Sequence, residues 1–242
     1  MSRAHHLPPV KRVGHKGADL LAPGNTLESF HAALEMGVHM IEFDVLPTPD
    51  GRLVLAHDPV DAASRECVTL EEGLEHFAGE AYADVELDVD LKAPGYEREV
   101  AEALAERGLL ERSLVSSTYL RSMDTLGEVM PGVRRGWSIP RATRDWTRSP
   151  LGPAVYGLLL LWRKLLPAQV ARMMDAGRFE AVMSHYLLVS PKLVRAVHAH
   201  GGEVYVWTVD EAKRIELLDS MGVDGVITND PRLFDPPSPD GW

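Results

Sequence analysis

The sequence predicts an α/β protein: a single (β/α)8 TIM barrel in which eight short parallel strands are each followed by a helix. Three observations carry that expectation. The chain has 242 residues, a length that one such barrel fills alone. Eight short apolar runs alternate with stretches of helical periodicity. Finally, His15, Asp44, Lys92, Ser116, His185, Trp207 and Thr228 all fall near the C-terminal ends of those runs. In a barrel these ends form one rim, and sites are built on that rim. A doubly wound open sheet is the competing architecture, and the shared rim favours the barrel. No repeat, low-complexity tract or linker divides the chain, so residues 1–242 are expected to form one domain, with 1–9 and 235–242 as mobile tails.

Each element has a local reason. Residues 11–17 read as a strand ending in His15. Thr26, with Glu28 and Ser29, opens a helix in which Leu27, Phe30, Ala33 and Leu34 recur at helical spacing, and Gly37 ends it. Residues 39–46 are the second strand. A turn at 47–51 with Asp50-Gly51 at its tip returns the chain through 52–57. A short helix at 69–77 carries Glu71 and Glu72 in its first turn, at the positive end of the helix dipole. Residues 86–92 alternate charge with Leu87, Val89 and Leu91, the pattern of a third strand. A helix at 96–107, a strand at 113–117, a helix at 119–129 and a strand at 133–139 follow. An irregular basic loop at 141–153 leads into 154–176, helical with a kink or break at Pro167. Strands at 179–185, 203–209 and 224–228 alternate with helices at 191–200 and 211–221, and a short last helix starts at Pro231.

Hydrophobic residues make up 45% and charged residues 25% of the chain, enough for a sizeable core. The formal charge of −11 disfavours general attraction to nucleic acid or to an anionic membrane surface, although a local basic patch could still bind a phosphate. Cys67 is the single cysteine, so no intrachain disulfide forms. Without an apolar leader or a run long enough to span a bilayer, a cytoplasmic location is expected.

Glu42 and Asp44 are two apart on a strand and point to one face, where they repel unless a cation lies between them. Oxygen ligands of this kind suit Mg²⁺ or Ca²⁺ better than zinc, and a salt-bridged pair at a strand end is the alternative. Glu86, Asp88, Asp90 and Lys92 share one face of the next strand, with Asp90 the best placed third carboxylate. Lys92, one step higher, offers a positive charge to an anionic substrate. His15 and His57 bracket the carboxylate pair, and imidazoles serve as general base and general acid near neutral pH. Such a pair with a Lewis-acid metal is the set of parts that phosphodiester hydrolysis requires.

These motifs together resemble the glycerophosphodiester phosphodiesterase family, whose pattern is His-Arg-Gly, Pro-Glu-Asn-Thr, Glu-x-Asp, His-Asp, an acid-x-Lys strand, Trp-Thr-Val and Gly-Val-Asp-Gly ending near Thr. The chain has, in the same order, His15-Lys16-Gly17, Pro23-Gly24-Asn25-Thr26, Glu42-Phe43-Asp44, His57-Asp58, Asp90-Leu91-Lys92, Trp207-Thr208-Val209 and Gly222-Val223-Asp224-Gly225 before Thr228. The resemblance implies a (β/α)8 barrel and a divalent cation, Ca²⁺ or Mg²⁺, on Glu42, Asp44 and Asp90. It also implies His15 and His57 as the acid–base pair and Lys92 on the phosphate. Lys16 is expected on the phosphate as well, and Trp207 against the apolar part of the substrate.

Three departures stand out. Lys16 replaces an arginine and loses its bidentate fork. Gly24 replaces a glutamate, and the two changes read as one: an Arg–Glu pair exchanged for a lysine without such a partner. Asp90 replaces a glutamate as third ligand. The family's insertion after His-Asp is nearly absent, leaving residues 59–68, in which Arg65 faces either substrate or solvent. The apolar segment from Ala154 to Leu166, with Arg141, Arg144, Arg148, Arg163 and Lys164 nearby, suits packing under a loop, a dimer contact, an acyl chain or peripheral contact with a bilayer. The expected activity is hydrolysis of glycerophosphodiesters to glycerol 3-phosphate and an alcohol, with one of His15 and His57 as base and the other as acid, an order the sequence leaves open and in which His15 is favoured as the base. A lysophospholipase D-like action on lysophospholipids at the same site, and a catalytically silent barrel that binds a phosphorylated ligand, are the alternatives. Ser116, Tyr119 and His185 are further candidates for the rim.

Overall fold

The structure, a computed structural model, describes residues 9–141 and 152–235. Among the described residues nine strands form one sheet: β1 (Lys11–Gly14), β2 (Met40–Pro47), β3 (Leu53–Leu55), β4 (Glu86–Leu91), β5 (Ser113–Ser117), β6 (Arg134–Ile139), β7 (Ala181–His185), β8 (Glu203–Trp207) and β9 (Gly225–Thr228). Eight are parallel, in the order β1-β9-β8-β7-β6-β5-β4-β2, and β1 pairs with β2 to close the barrel. The ninth, β3, is an antiparallel return on β2 made by the turn at Asp50-Gly51. The helices are α1 (Leu27–Glu35), α2 (Pro59–Ser64), α3 (Leu70–Phe77), α4 (Glu97–Glu106), α5 (Leu120–Val129), α6 (Gly152–Asp175), α7 (Pro191–His198) and α8 (Ala212–Ser220). The predicted barrel is therefore the fold. Strand ends are shorter than periodicity suggests: 15–17 turns away from β1 because Lys16 and Gly17 adopt positive φ.

The core lies mainly between the strands and their helices, because parallel strands bury both faces. Phe30, Phe43 and Phe77 stack between α1, β2 and α3. Inside the barrel, Val13, Met40, Leu114, Ala181, Met183, Tyr205 and Ile227 form a second buried cluster. Below it, at the N-terminal strand ends, Glu86 accepts from Lys11 at 2.7 Å and from Arg134 at 2.5 Å, and Glu203 pairs with both cations. The barrel floor is closed by charge-balanced ion pairs, and its open end is the other rim.

Three expectations change. Residues 59–68 hold a short helix, α2, capped by Asp58, whose carboxylate accepts from the amides of Val60 and Asp61. Pro167 neither breaks α6 nor ends it, since the helix runs on to Asp175 while Leu166 and Val170 anchor it in the core. Gly152 and Pro153 already belong to α6. Of the expected tails at 1–9 and 235–242, residues 1–8 and 236–242 lie outside the described residues, as do Arg144 and Arg148 of the basic loop. Among the described residues no helix is long and apolar enough to cross a membrane.

Candidate active site

The register of β2 on β4 places Glu42 beside Asp88 and Asp44 beside Asp90. These carboxylates occupy the open end of the barrel interior. Oxygens of Glu42, Asp44 and Asp90 lie within 4.8 Å of one another. Lys92 Nζ reaches into the cluster, 2.5 Å from Asp90 Oδ2 and in contact with Asp44. Burial opposes the Lys92 ammonium, but Asp44, Asp90 and Glu42 overcome it and hold its pKa well above the ordinary lysine value. One ammonium does not balance four carboxylates. Burial, reinforced by Asp44, pushes Glu42 well up, and burial pushes Asp88 up to about 8. Asp44 is also penalised by burial, yet Lys92 and His57 draw it well below the usual range. Asp90 Oδ1 is buried without a hydrogen-bond partner. An all-oxygen, electron-rich cluster with an orphaned oxygen fits a hard divalent cation.

His15 sits where β1 ends, its amide donating to Thr228 O at 2.8 Å. Its Nδ1 lies 2.6 Å from Asn229 Oδ1, while Asn229 Nδ2 donates to Asp210 Oδ2 at 2.7 Å. The carboxylate fixes the amide orientation, so Asn229 Oδ1 accepts from an Nδ1–H, and Nε2 carries the lone pair. That Nε2 is 3.8 Å from Glu42 Oε2. Burial, then the nearby Lys16 ammonium, lowers the His15 pKa to about 4, so the ring is neutral at pH 7. His57 donates from Nδ1 to Asp44 Oδ2 at 3.1 Å, and its side chain is 51% exposed. The short α2 positions it: the His57 amide donates to Asp61, and Arg65 bridges Asp61 to Leu55 O. Arg65 thus faces neither substrate nor open solvent but ties the His57 loop to β3.

Lys16, at φ +51, donates its amide to Glu42 Oε2 at 2.8 Å. Its ammonium is 3.5 Å from Asp19, whose other oxygen accepts from the Gly24 amide at 2.9 Å. The lysine expected to lack a partner therefore has one, on a loop that no periodicity marks. A Cβ at Gly24 would come within 2.5 Å of that Asp19 carboxylate, so glycine and aspartate go together.

His15, Lys16, Glu42, His57, Asp90, Lys92 and Trp207 meet around one cavity of 340 Å³, with Asp44 buried directly behind it. Asp88, Ser116, Thr118 and Thr208 also line it. Trp207 donates its indole N–H to Met183 O at 2.9 Å. His185 packs edge-on against Trp207 and over Tyr186, and Tyr119 is covered by Arg141, so neither lines the cavity. Sequence reasoning gave no role to Asn25, Asn229, Asp210 or Asp88. Buried Asn25 holds Asp44 from both sides, Nδ2 donating to its carboxylate and Oδ1 accepting from its amide, each at 2.9 Å. Its place in Pro23-Gly24-Asn25-Thr26 was a signal; Asn229 and Asp210 carried none, because chain closure alone brings them to His15.

The sequence model described as the glycerophosphoryl diester phosphodiesterase family matches residues 15–71 and 61–233. A glycerophosphodiester phosphodiesterase of Caldanaerobacter subterraneus is 28% identical over 258 residues, spanning 92% of this chain and 95% of that protein. Among solved structures, an Oleispira antarctica phosphodiesterase in complex with the product sn-glycerol-3-phosphate superposes with a TM-score of 0.68 at 22% identity, over 95% of this chain and 97% of that one. A glycerophosphodiester phosphodiesterase from Agrobacterium tumefaciens gives 0.69 at 19% identity, over 93% and 98%. At these identities the solved structures speak to the fold.

Proposed function

Because this chain belongs to the glycerophosphoryl diester phosphodiesterase family, we propose that it hydrolyses glycerophosphodiesters to glycerol 3-phosphate and an alcohol, using His15 and His57 as its acid–base pair. The observation that carries this reading is the single cavity lined by two imidazoles, two lysines, Glu42 and Asp90, with Asp44 completing the carboxylate cluster directly behind it. Glu42, Asp44 and Asp90 are the residues that would hold a divalent cation, Mg²⁺ or Ca²⁺. When bound there it would supply Lewis-acid polarisation of the phosphate. Lys92 and Lys16 would hold phosphate oxygens, and Trp207 would flank the apolar part of the alcohol. His15 Nε2, neutral and unprotonated, would take the proton of the nucleophile as its oxygen attacks phosphorus: water, giving glycerol 3-phosphate directly, or the neighbouring glycerol hydroxyl, giving a cyclic phosphate whose ring water opens in a second step. His57 Nε2 would give a proton to the leaving oxygen as the phosphorus–oxygen bond breaks, with Asp44 steadying its Nδ1–H.

The cavity is at the small end of ligand sites, which run from roughly 300 to 1,000 Å³. It suits a glycerophosphate head with a compact alcohol. For a lysophospholipid, the acyl chain would have to remain outside. His15→Gln and His57→Gln, folded and supplied with Mg²⁺ or Ca²⁺, should each release glycerol 3-phosphate from glycerophosphocholine at least about 100-fold more slowly than the parent. Unchanged turnover in either would refute the acid–base assignment. Parent protein inert with both metals would favour the silent-barrel reading, and faster release from lysophosphatidylcholine would favour the lysolipid one.

A further inference from the structure

Of the nine large apolar side chains exposed among the described residues, five lie together on α6 and α8: Leu158, Leu160, Leu161, Leu165 and Leu217. Leu158, Leu161, Trp162 and Leu165 follow the i, i+3, i+4, i+7 spacing of one helical face. With Leu159 they line an apolar hollow of 380 Å³. The adjoining stripe of Leu159, Trp162, Leu166 and Val170 packs on the core, so the apolar surface of α6 runs on past its buried stripe to Leu158, Leu161 and Leu165, which face water. Beside the hollow, a groove of 180 Å³ between α6 and α8 sets Leu160 and Leu217 against Arg163 and Arg214. Arg163 Nε is buried there without a hydrogen-bond partner.

Charge identifies the occupant. In a chain of net charge −11, α6 carries Arg163, Lys164 and Arg172, and its sequence holds no acidic residue before Asp175. A second copy of the chain on this face would set these cations against their own counterparts, an unfavourable pairing. An anionic lipid surface offers both the apolar layer and the phosphates that such a face matches. Position agrees. The groove brings Leu159, Leu160 and Arg163 against Tyr186, Leu187 and Val189, just beyond the C-terminal end of β7. That end is part of the rim on which the catalytic cavity opens.

We propose that the exposed face of α6, with the Arg163–Arg214 groove, docks on the surface of an anionic phospholipid bilayer and holds the barrel rim toward it. The leucines enter the boundary between headgroups and acyl chains, and Arg163 and Lys164 meet lipid phosphates, while Arg214, paired with Glu211 at 3.1 Å and stacked on Tyr186, forms the wall of the groove. This deepens the phosphodiesterase reading, because a lipid-borne phosphodiester would then reach the cavity with its acyl chain left in the bilayer, but the docking itself needs no turnover.

The test is sedimentation of the full chain, without added metal, with vesicles of equal parts phosphatidylglycerol and phosphatidylcholine, and with vesicles of phosphatidylcholine alone. The expected result is binding to the anionic vesicles at least about tenfold tighter than to the neutral ones. Leu161→Glu/Leu165→Glu should lose that binding at least about tenfold while keeping its rate on soluble glycerophosphocholine. Leu161→Ser/Leu165→Ser, with thermal unfolding as a check on folding, should lose it in the same direction. Parent protein left in the supernatant, variants that bind as well as the parent, or a parent dimer that the substitutions turn into monomer by light scattering would each overturn the proposal. Protein that binds vesicles but hydrolyses nothing would instead count against the phosphodiesterase reading alone.

Discussion

His15 shows how far one residue's chemistry is set by partners distant in sequence. Its Nδ1 faces Asn229, 214 positions away, and its pKa falls to about 4 through burial and Lys16. The unfolded chain should bind that proton near pH 6.5. Between the two values the unfolded state holds more protons, so stability rises with pH across this window. The His15 contribution is thus lost as pH falls from about 6.5 toward 4, up to about 3 kcal/mol. Titration of the metal-free protein followed by histidine ring NMR, with His15→Gln to assign the signal, should show this ring changing near pH 4. A midpoint near 6.5 would contradict the buried, neutral His15. The histidine itself was legible from its place at the end of an apolar run. Its tautomer was not, because Asn229 and Asp210 are brought to it by barrel closure and by no local pattern. Lys16 teaches the same lesson, since Asp19 and Gly24 explain it only once the loop between them is folded.

At the scale of elements, strict alternation made β2 and β4 readable, and with them the carboxylates that share a face. What alternation does not convey is that this face is the barrel interior, so the burial of Asp88, at 1% exposure, came from the structure. The short α2 escaped because it buries no side chain and therefore has no apolar period. For α6 the local signal was overridden. A proline inside a helix removes a hydrogen bond and costs about 3 kcal/mol relative to alanine, yet Leu166 and Val170 are fully buried on either side of Pro167 and the helix continues past it to Asp175. Pro167→Ala should therefore stabilise the protein by about 1–3 kcal/mol, read as a higher urea midpoint with an unchanged slope. A lower midpoint would mean that the pyrrolidine ring packs in a way that alanine does not replace.

Across the whole molecule, the two ends of the barrel differ in charge balance. At the floor, Lys11 and Arg134 match Glu86 and Glu203. At the rim, among the described residues, Lys92 is the one ammonium paired within the cluster, contacting Asp44 and Asp90, while Glu42 and Asp88 lie beside them in register. An apolar layer around Met40, Leu114, Met183 and Ile227 separates them, so the floor cations do not relieve the rim. Buried carboxylates in such excess destabilise the fold, and a divalent cation bound only by the native state should stabilise it by mass action. At a hundredfold excess over the dissociation constant the gain is about 2.7 kcal/mol. For a chain of this size that is a rise in Tm of about 5–10 °C. Thermal unfolding in EDTA and in millimolar Mg²⁺ or Ca²⁺ should show that rise. Asp90→Asn should abolish most of it, since it removes a ligand charge from the rim. Glu86→Gln at the floor should lower Tm in both conditions by similar amounts and leave the metal-dependent difference intact. A Tm insensitive to either metal, or a difference lost equally in both variants, would show that the rim carboxylates are balanced by protons instead of by a cation.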